Sequence, residues 1–134
     1  MDRIISYKLW SSLLESNDHI KKYLEDIFQE LVDKGFDITI TRSYTYIGST
    51  IYEVIIEDIR QNGKVMFRYD TVSDYVDSSI DYMKGIDYKF SENNSAIREY
   101  DTDFNFKIKQ VRGDSELVRV SIVFIETTSE ARLP

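Results

Sequence analysis

The spacing of apolar residues changes along the chain, and each change marks an element. In residues 1–16, Ile5, Leu9, Leu13 and Leu14 sit at helical spacing with Trp10 beside them, which suits a short packed helix or an extended arm. In residues 17–34 the pattern is unambiguous. Ile20, Tyr23, Leu24, Ile27, Phe28 and Leu31 form a continuous stripe with the 3.6-residue period of a helix packed on one side. Asn17 or Asp18 is suited to cap its start, because a short side-chain oxygen accepts from the unpaired first-turn N–H groups. Gly35 suits the left-handed position that ends it.

The period then shortens to two. Ile38, Ile40, Tyr44 and Tyr46 alternate with Thr39, Thr41, Ser43 and Thr45, predicting a strand over 36–47 that turns at Gly48-Ser49. Residues 50–59 are apolar on both faces, with Tyr52, Val54 and Ile56 on one and Ile51, Ile55 and Ile59 on the other. That pattern predicts a central strand covered on both sides. Asn62-Gly63 predicts a hairpin, since both residue types tolerate positive φ, and residues 64–69 then return as a third strand. By alternation Tyr44, Tyr46, Tyr52 and Tyr69 all face the core.

Residues 71–84 return to helical spacing, with Val72, Val76, Ile80 and Met83 as the buried stripe and Gly85 as the stop. Residues 85–99 have no clear period; a short strand at 87–90 is the expectation there. Phe104, Phe106 and Ile108 alternate with Asn105, Lys107 and Lys109, Gly113-Asp114 turns the chain, and Val118, Val120, Ile122 and Phe124 form the last strand. The expected fold is α+β in the order (α)αβββαββ, an antiparallel sheet of about five strands with helices packed on one face. A single domain over 1–126 and a polar tail over 127–134 complete the expectation.

Composition narrows the chemistry. A chain of 134 residues can bury one core without covalent or metal support. It contains no cysteine, which removes disulfides, thiol nucleophiles and thiolate metal sites. No stretch approaches the roughly 20 apolar residues of a membrane helix, and the first residues lack the pattern of a signal peptide. A cytoplasmic protein is expected. The formal charge of −7 disfavours nucleic acid and anionic lipid as direct partners and favours a protein with a basic surface. The excess is local: residues 70–103 hold nine acids and three bases, whereas the rest of the chain is nearly balanced.

Within that segment Asp70, Asp74, Asp77 and Asp81 are spaced four, three and four apart. On a helix they fall within about 60° of arc, one per turn, opposite the apolar stripe. Asp70 stands at the helix mouth, where it can serve as the cap. A row of like charges costs tenths of a kcal/mol per pair. It is read either as a docking face for a basic partner, with these four residues as the partner-binding set, or as a solvated face that keeps the protein soluble. Other chemistry is thin. His19 sits at a solvated helix start, Gly-x-Ser-x-Gly and phosphate-loop motifs are missing, and no catalytic residue, metal site or cofactor is assigned. Asp101-Thr102-Asp103 would place two carboxylates on one side of a strand, enough for a divalent ion.

The run from Ile27-Phe28-Gln29-Glu30 through Gly35-Phe36-Asp37-Ile38-Thr39-Ile40, a hairpin, and then Tyr75 and Ile80-Asp81-Tyr82-Met83 resembles small uncharacterised proteins of tailed bacteriophages. The helix, three strands, helix order and the acidic balance are also similar to one class of anti-CRISPR protein, which blocks a CRISPR nuclease by occupying its DNA-binding surface. The resemblance spans roughly residues 17–85 and lies in topology and charge. It implies a phage-encoded inhibitor in the host cytoplasm. Three functions follow as expectations: an interaction module or inhibitor presenting the acidic helix, a virion or assembly component forming homo-oligomers, and a metal-assisted hydrolase using Asp101 and Asp103.

Overall fold

The computed structural model describes residues 19–58, 66–99 and 105–127. The N-terminal helix or arm, the Asn17/Asp18 cap, the Asn62-Gly63 turn, the Asp101/Asp103 pair and all but the first residue of the expected tail lie outside these residues.

The first helical stripe folds as helix but in two pieces, and Tyr23, expected within the stripe, is 55% exposed. Residues 19–27 form α1 and Gln29–Asp33 form α2. Phe28 between them keeps the ladder alive, donating to the Leu24 carbonyl and accepting from Val32. Leu24, Phe28 and Leu31 are fully buried, as their spacing requires. Gly35 adopts φ 100°, which a Cβ would disfavour, and its N–H closes on the Val32 carbonyl at 3.0 Å.

Strand β1 (Phe36–Tyr44) pairs antiparallel with β2 (Thr50–Asp58) from Phe36 opposite Asp58 to Tyr44 opposite Thr50. Gly48 at φ 91° and a bond from the Ser49 N–H to the Thr45 hydroxyl make the turn between them. The inward face of β1 runs out before its end. Position 42 is arginine, stacked 5.8 Å from the Tyr44 ring, and Tyr44 and Tyr46 point to solvent rather than into the core. Alternation is a local signal and does not tell how far the covering helices reach. Tyr52 is buried and Tyr69 half-buried, as read. On β2 only the Tyr52, Val54 and Ile56 face is fully buried; the Ile51 and Ile55 face is half-exposed.

The chain continues through β3 (Phe67–Arg68), α3 (Tyr69–Gly85), β4 (Tyr88–Phe90), β5 (Ala96–Glu99), β6 (Asn105–Phe106), a 3-10 turn (Ile108–Gln110) and β7 (Glu116–Glu126). The sheet order is β1-β2-β7-β5-β6, with β3 and β4 also paired to β7. All the pairings among the described residues are antiparallel. The last strand is therefore the centre of the molecule. β2 flanks it from Ile56 opposite Val120 to Ile51 opposite Ile125, and β5 flanks its other side at Val120 and Ser121.

Two expected hairpins are replaced by this arrangement. β3 does not return along β2; it pairs with β7, Phe67 opposite Leu117, and so runs in the same direction as β2. β6 does not pair with β7; it pairs with β5, Ile97 opposite Phe106. The middle of β7, residues 120–124, is buried on both faces, which only the centre of the sheet allows, and several short strands then share its edges. One extra residue also enters β7, since Arg98 and Glu99 pair with Arg119 and Leu117. The bulge at Val118 turns Leu117 into the core, where simple alternation places Val118.

The segment without a period holds β4, β5 and a five-residue loop that hands β7 from one strand to the other. Ser91 N–H donates to the Val123 carbonyl, and the Ser95 hydroxyl accepts from the Val123 N–H at 2.9 Å. The serines thus replace the missing ladder bonds, which a buried backbone requires. One apolar cluster unites the buried faces of α1, α2, α3 and the strands. Every fully buried sheet side chain in it lies on the face that the helices cover. No helix among the described residues is long and apolar enough to cross a membrane.

Candidate functional site: the acidic face of α3

Helix α3 is longer than its apolar stripe suggests. Arg68 occupies the cap position in extended conformation, without a side-chain cap. The orphan N–H groups of Tyr69 and Asp70 instead donate to the Ser115 and Gly113 carbonyls, so the loop before β7 finishes the helix start. This corrects the expected role of Asp70: it lies inside the first turn, and its carboxylate meets the Arg68 guanidinium at 2.7 Å. Gly85 likewise does not stop the helix. It is the last helical residue, and the left-handed conformation falls two positions later, on Asp87 at φ 67°.

The buried row is Val72, Val76, Ser79 and Met83, spaced four, three and four. The polar Ser79 takes the inward position expected of Ile80, and its hydroxyl is satisfied by the Val76 carbonyl at 2.7 Å. The acid row, Asp70, Asp74, Asp77 and Asp81, has the same spacing displaced by two residues. Two residues are about 200° of helix, so one row faces the core and the other faces water. All four aspartates are exposed. Among the described residues, Arg68 is the cation that meets this row, at Asp70. These residues do not gather into a cation cage: among the described residues no three His, Asp or Glu side chains converge on a point.

Two tyrosines tie the acidic face to the first helical pair. The Tyr75 phenol donates to Glu30 of α2, and the Tyr82 ring stacks on Tyr23 of α1 with centroids 5.3 Å apart. Tyr75 and Tyr82 are seven residues apart, as are Tyr23 and Glu30, so the helices pack antiparallel along this seam. The bond to Glu30 holds the Tyr75 phenol above its ordinary pKa, with smaller contributions from desolvation, the Glu30 charge and Asp74. Burial raises Tyr82, with Tyr23 adding to it. Tyr69 is pushed up to about 12, first by burial and then by the charge of Asp77.

The bond to Tyr75 brings Glu30 to the edge of the acidic face, and its charge and that of Asp74 both act on the Tyr75 phenol. The approach of Glu30 to α3 spans 45 residues and has no local signal in the sequence. His19, the first described residue of α1, is exposed. Comparison with protein-family models, with curated proteins and with solved structures finds no match to this chain.

Proposed function

We propose that the chain is a protein-interaction module that presents the acidic face of α3 to a partner with a basic surface. One observation carries the reading: Asp70, Asp74, Asp77 and Asp81 are all exposed, one per turn, on a helix whose opposite row is locked into the core. A rigid row of carboxylates offers a basic groove a preformed charge pattern, with little ordering cost on binding. Glu30, held by Tyr75, widens the same surface. A partner that grips nucleic-acid phosphates fits this charge, and the activity is then inhibition by occupancy, as the resemblance to phage-encoded inhibitors implies.

The test is capture of partners from a lysate of the producing cell by the tagged chain, at low and high salt. The triple variant D74N/D77N/D81N is expected to fold normally and to lose the partner, with capture by the parent chain falling as salt screens the exposed charges. Equal capture by the variant overturns the reading.

A second reading, assembly with copies of itself, is favoured by β1. This nine-residue strand has β2 on one side and, among the described residues, no strand on the other. Tyr44, Tyr46 and Ile47 are exposed at its end. A free edge of that length is a template for strand addition. Light scattering at high micromolar concentration tests it, and a monomer argues against it.

A further inference from the structure

The sheet face turned away from the helices carries polar and charged side chains where β7, β5 and β6 meet. On it Arg119 of β7 stands directly opposite Arg98 of β5, and Arg98 stands directly opposite Asn105 of β6. These three side chains line a cavity of about 210 Å³. Its remaining wall is Asn94, Ala96, Ser121 and Glu53. The Ser121 hydroxyl donates to the Glu53 carboxylate at 2.6 Å, which fixes the acid against the wall.

Two features make this cluster costly by itself. Like charges directly opposite on paired strands repel. The Nε of both arginines is also buried and, among the described residues, makes no hydrogen bond. A buried donor on a charged group without an acceptor bears its full desolvation cost. In a protein this acidic, two cations side by side need a reason.

An oxyanion removes both costs together. The Nε–H and one terminal N–H of a guanidinium form a fork that matches two oxygens of a carboxylate or phosphate. Two such forks in one cavity supply two positive charges, and the Asn94 and Asn105 amides add neutral donors. The cavity is smaller than the roughly 300–1,000 Å³ of drug-sized sites, which suits a single anionic group rather than a nucleotide. Glu53 beside it sets an upper limit on the charge tolerated. We propose that this outer face holds a binding site for a small oxyanion, a phosphate or carboxylate group, gripped by Arg98 and Arg119. The site is separate from the acidic face of α3 and does not depend on it.

The test is titration of the isotopically labelled full chain with inorganic phosphate in one arm and glycolate in the other, at constant ionic strength, read by amide chemical shifts. Saturable shifts at Arg98, Arg119 and Ser121 are expected, and the arm that saturates at lower concentration identifies phosphate or carboxylate chemistry. Arg98→Gln and Arg119→Gln are each expected to weaken binding at least about tenfold, the loss of a charge-assisted pair. Their melting temperatures without ligand are expected to hold or rise, because the repulsion is relieved. Glu53→Gln is expected to tighten phosphate binding. The proposal is overturned by shifts that do not saturate with either anion, by binding unchanged in both arginine variants, or by a fall in ligand-free melting temperature that marks the arginines as structural.

Discussion

The two rows of α3 have the same spacing and opposite fates. Val72, Val76, Ser79 and Met83 meet the sheet, while Asp70, Asp74, Asp77 and Asp81 meet water. The difference teaches where energy resides in this fold. The apolar members of the buried row are anchored by transfer and packing, each contributing on the order of 1.5–3 kcal/mol. The exposed row contributes almost nothing to stability and carries a small repulsive cost. Removal of inward atoms therefore tests the fold, and removal of outward charge tests what the surface is for.

The largest effect is expected on the inward row. Met83→Ala empties a fully buried position and is expected to destabilise by about 2–4 kcal/mol, measured by urea unfolding. A change below about 1 kcal/mol would break the assignment of this row to the core.

The next effect comes from high pH. Burial pushes Tyr69 and Tyr88 up to about 12, with the Asp77 charge assisting at Tyr69 and the Tyr52 and Glu126 charges at Tyr88. A folded pKa above the unfolded value of about 10 means that the unfolded chain loses its proton first. The stabilisation is complete below about pH 10 and is lost as pH rises towards 12. Allowing for partial screening by solvent, about 1 kcal/mol is expected from each phenol. Unfolding monitored from pH 9 to 12 checks it, and Tyr69→Phe is expected to flatten the decline.

A smaller effect is expected at the seam between the rows. Tyr75→Phe removes the bond to Glu30 and is expected to lower the melting temperature only slightly, since the pair is exposed. The loss should vanish in a Glu30→Gln background if the bond is its only source.

The smallest effect, opposite in sign, is expected on the acid row. Asp81→Lys relieves repulsion from Asp77 and places a cation in the second half of the helix, and a gain of a few tenths of a kcal/mol is expected in thermal unfolding. If partner binding falls in the same variant while stability rises, the row is held for recognition and not for folding.

Much of this was legible from local pattern. The stripe Leu24, Phe28 and Leu31, the turn at Gly35, the extent of β2 and the four-three-four acid row all follow from short-range periodicity and from conformations that only some residues tolerate. The acid row was legible because exposure on a helix follows from angle alone once the apolar row is known. Glu30 bonded to Tyr75, and Arg98 opposite Arg119, were not legible. Each joins residues from distant parts of the chain, and their meeting depends on strand register and helix packing rather than on spacing.

Sequence by itself determined that this chain forms helices and strands in nearly the observed order and that α3 has an apolar and an acidic side. Local sterics, capping chemistry and periodicity act within a few residues, so a linear reading captures them. Tertiary structure alone decided that β7 occupies the centre, that β3 and β6 leave their expected hairpin partners, and that a bulge turns Leu117 inward. Many pairings satisfy the same alternation. The choice among them is made by burying the middle of β7, whose residues 120–124 are covered on both faces, a property of the whole sheet rather than of any segment.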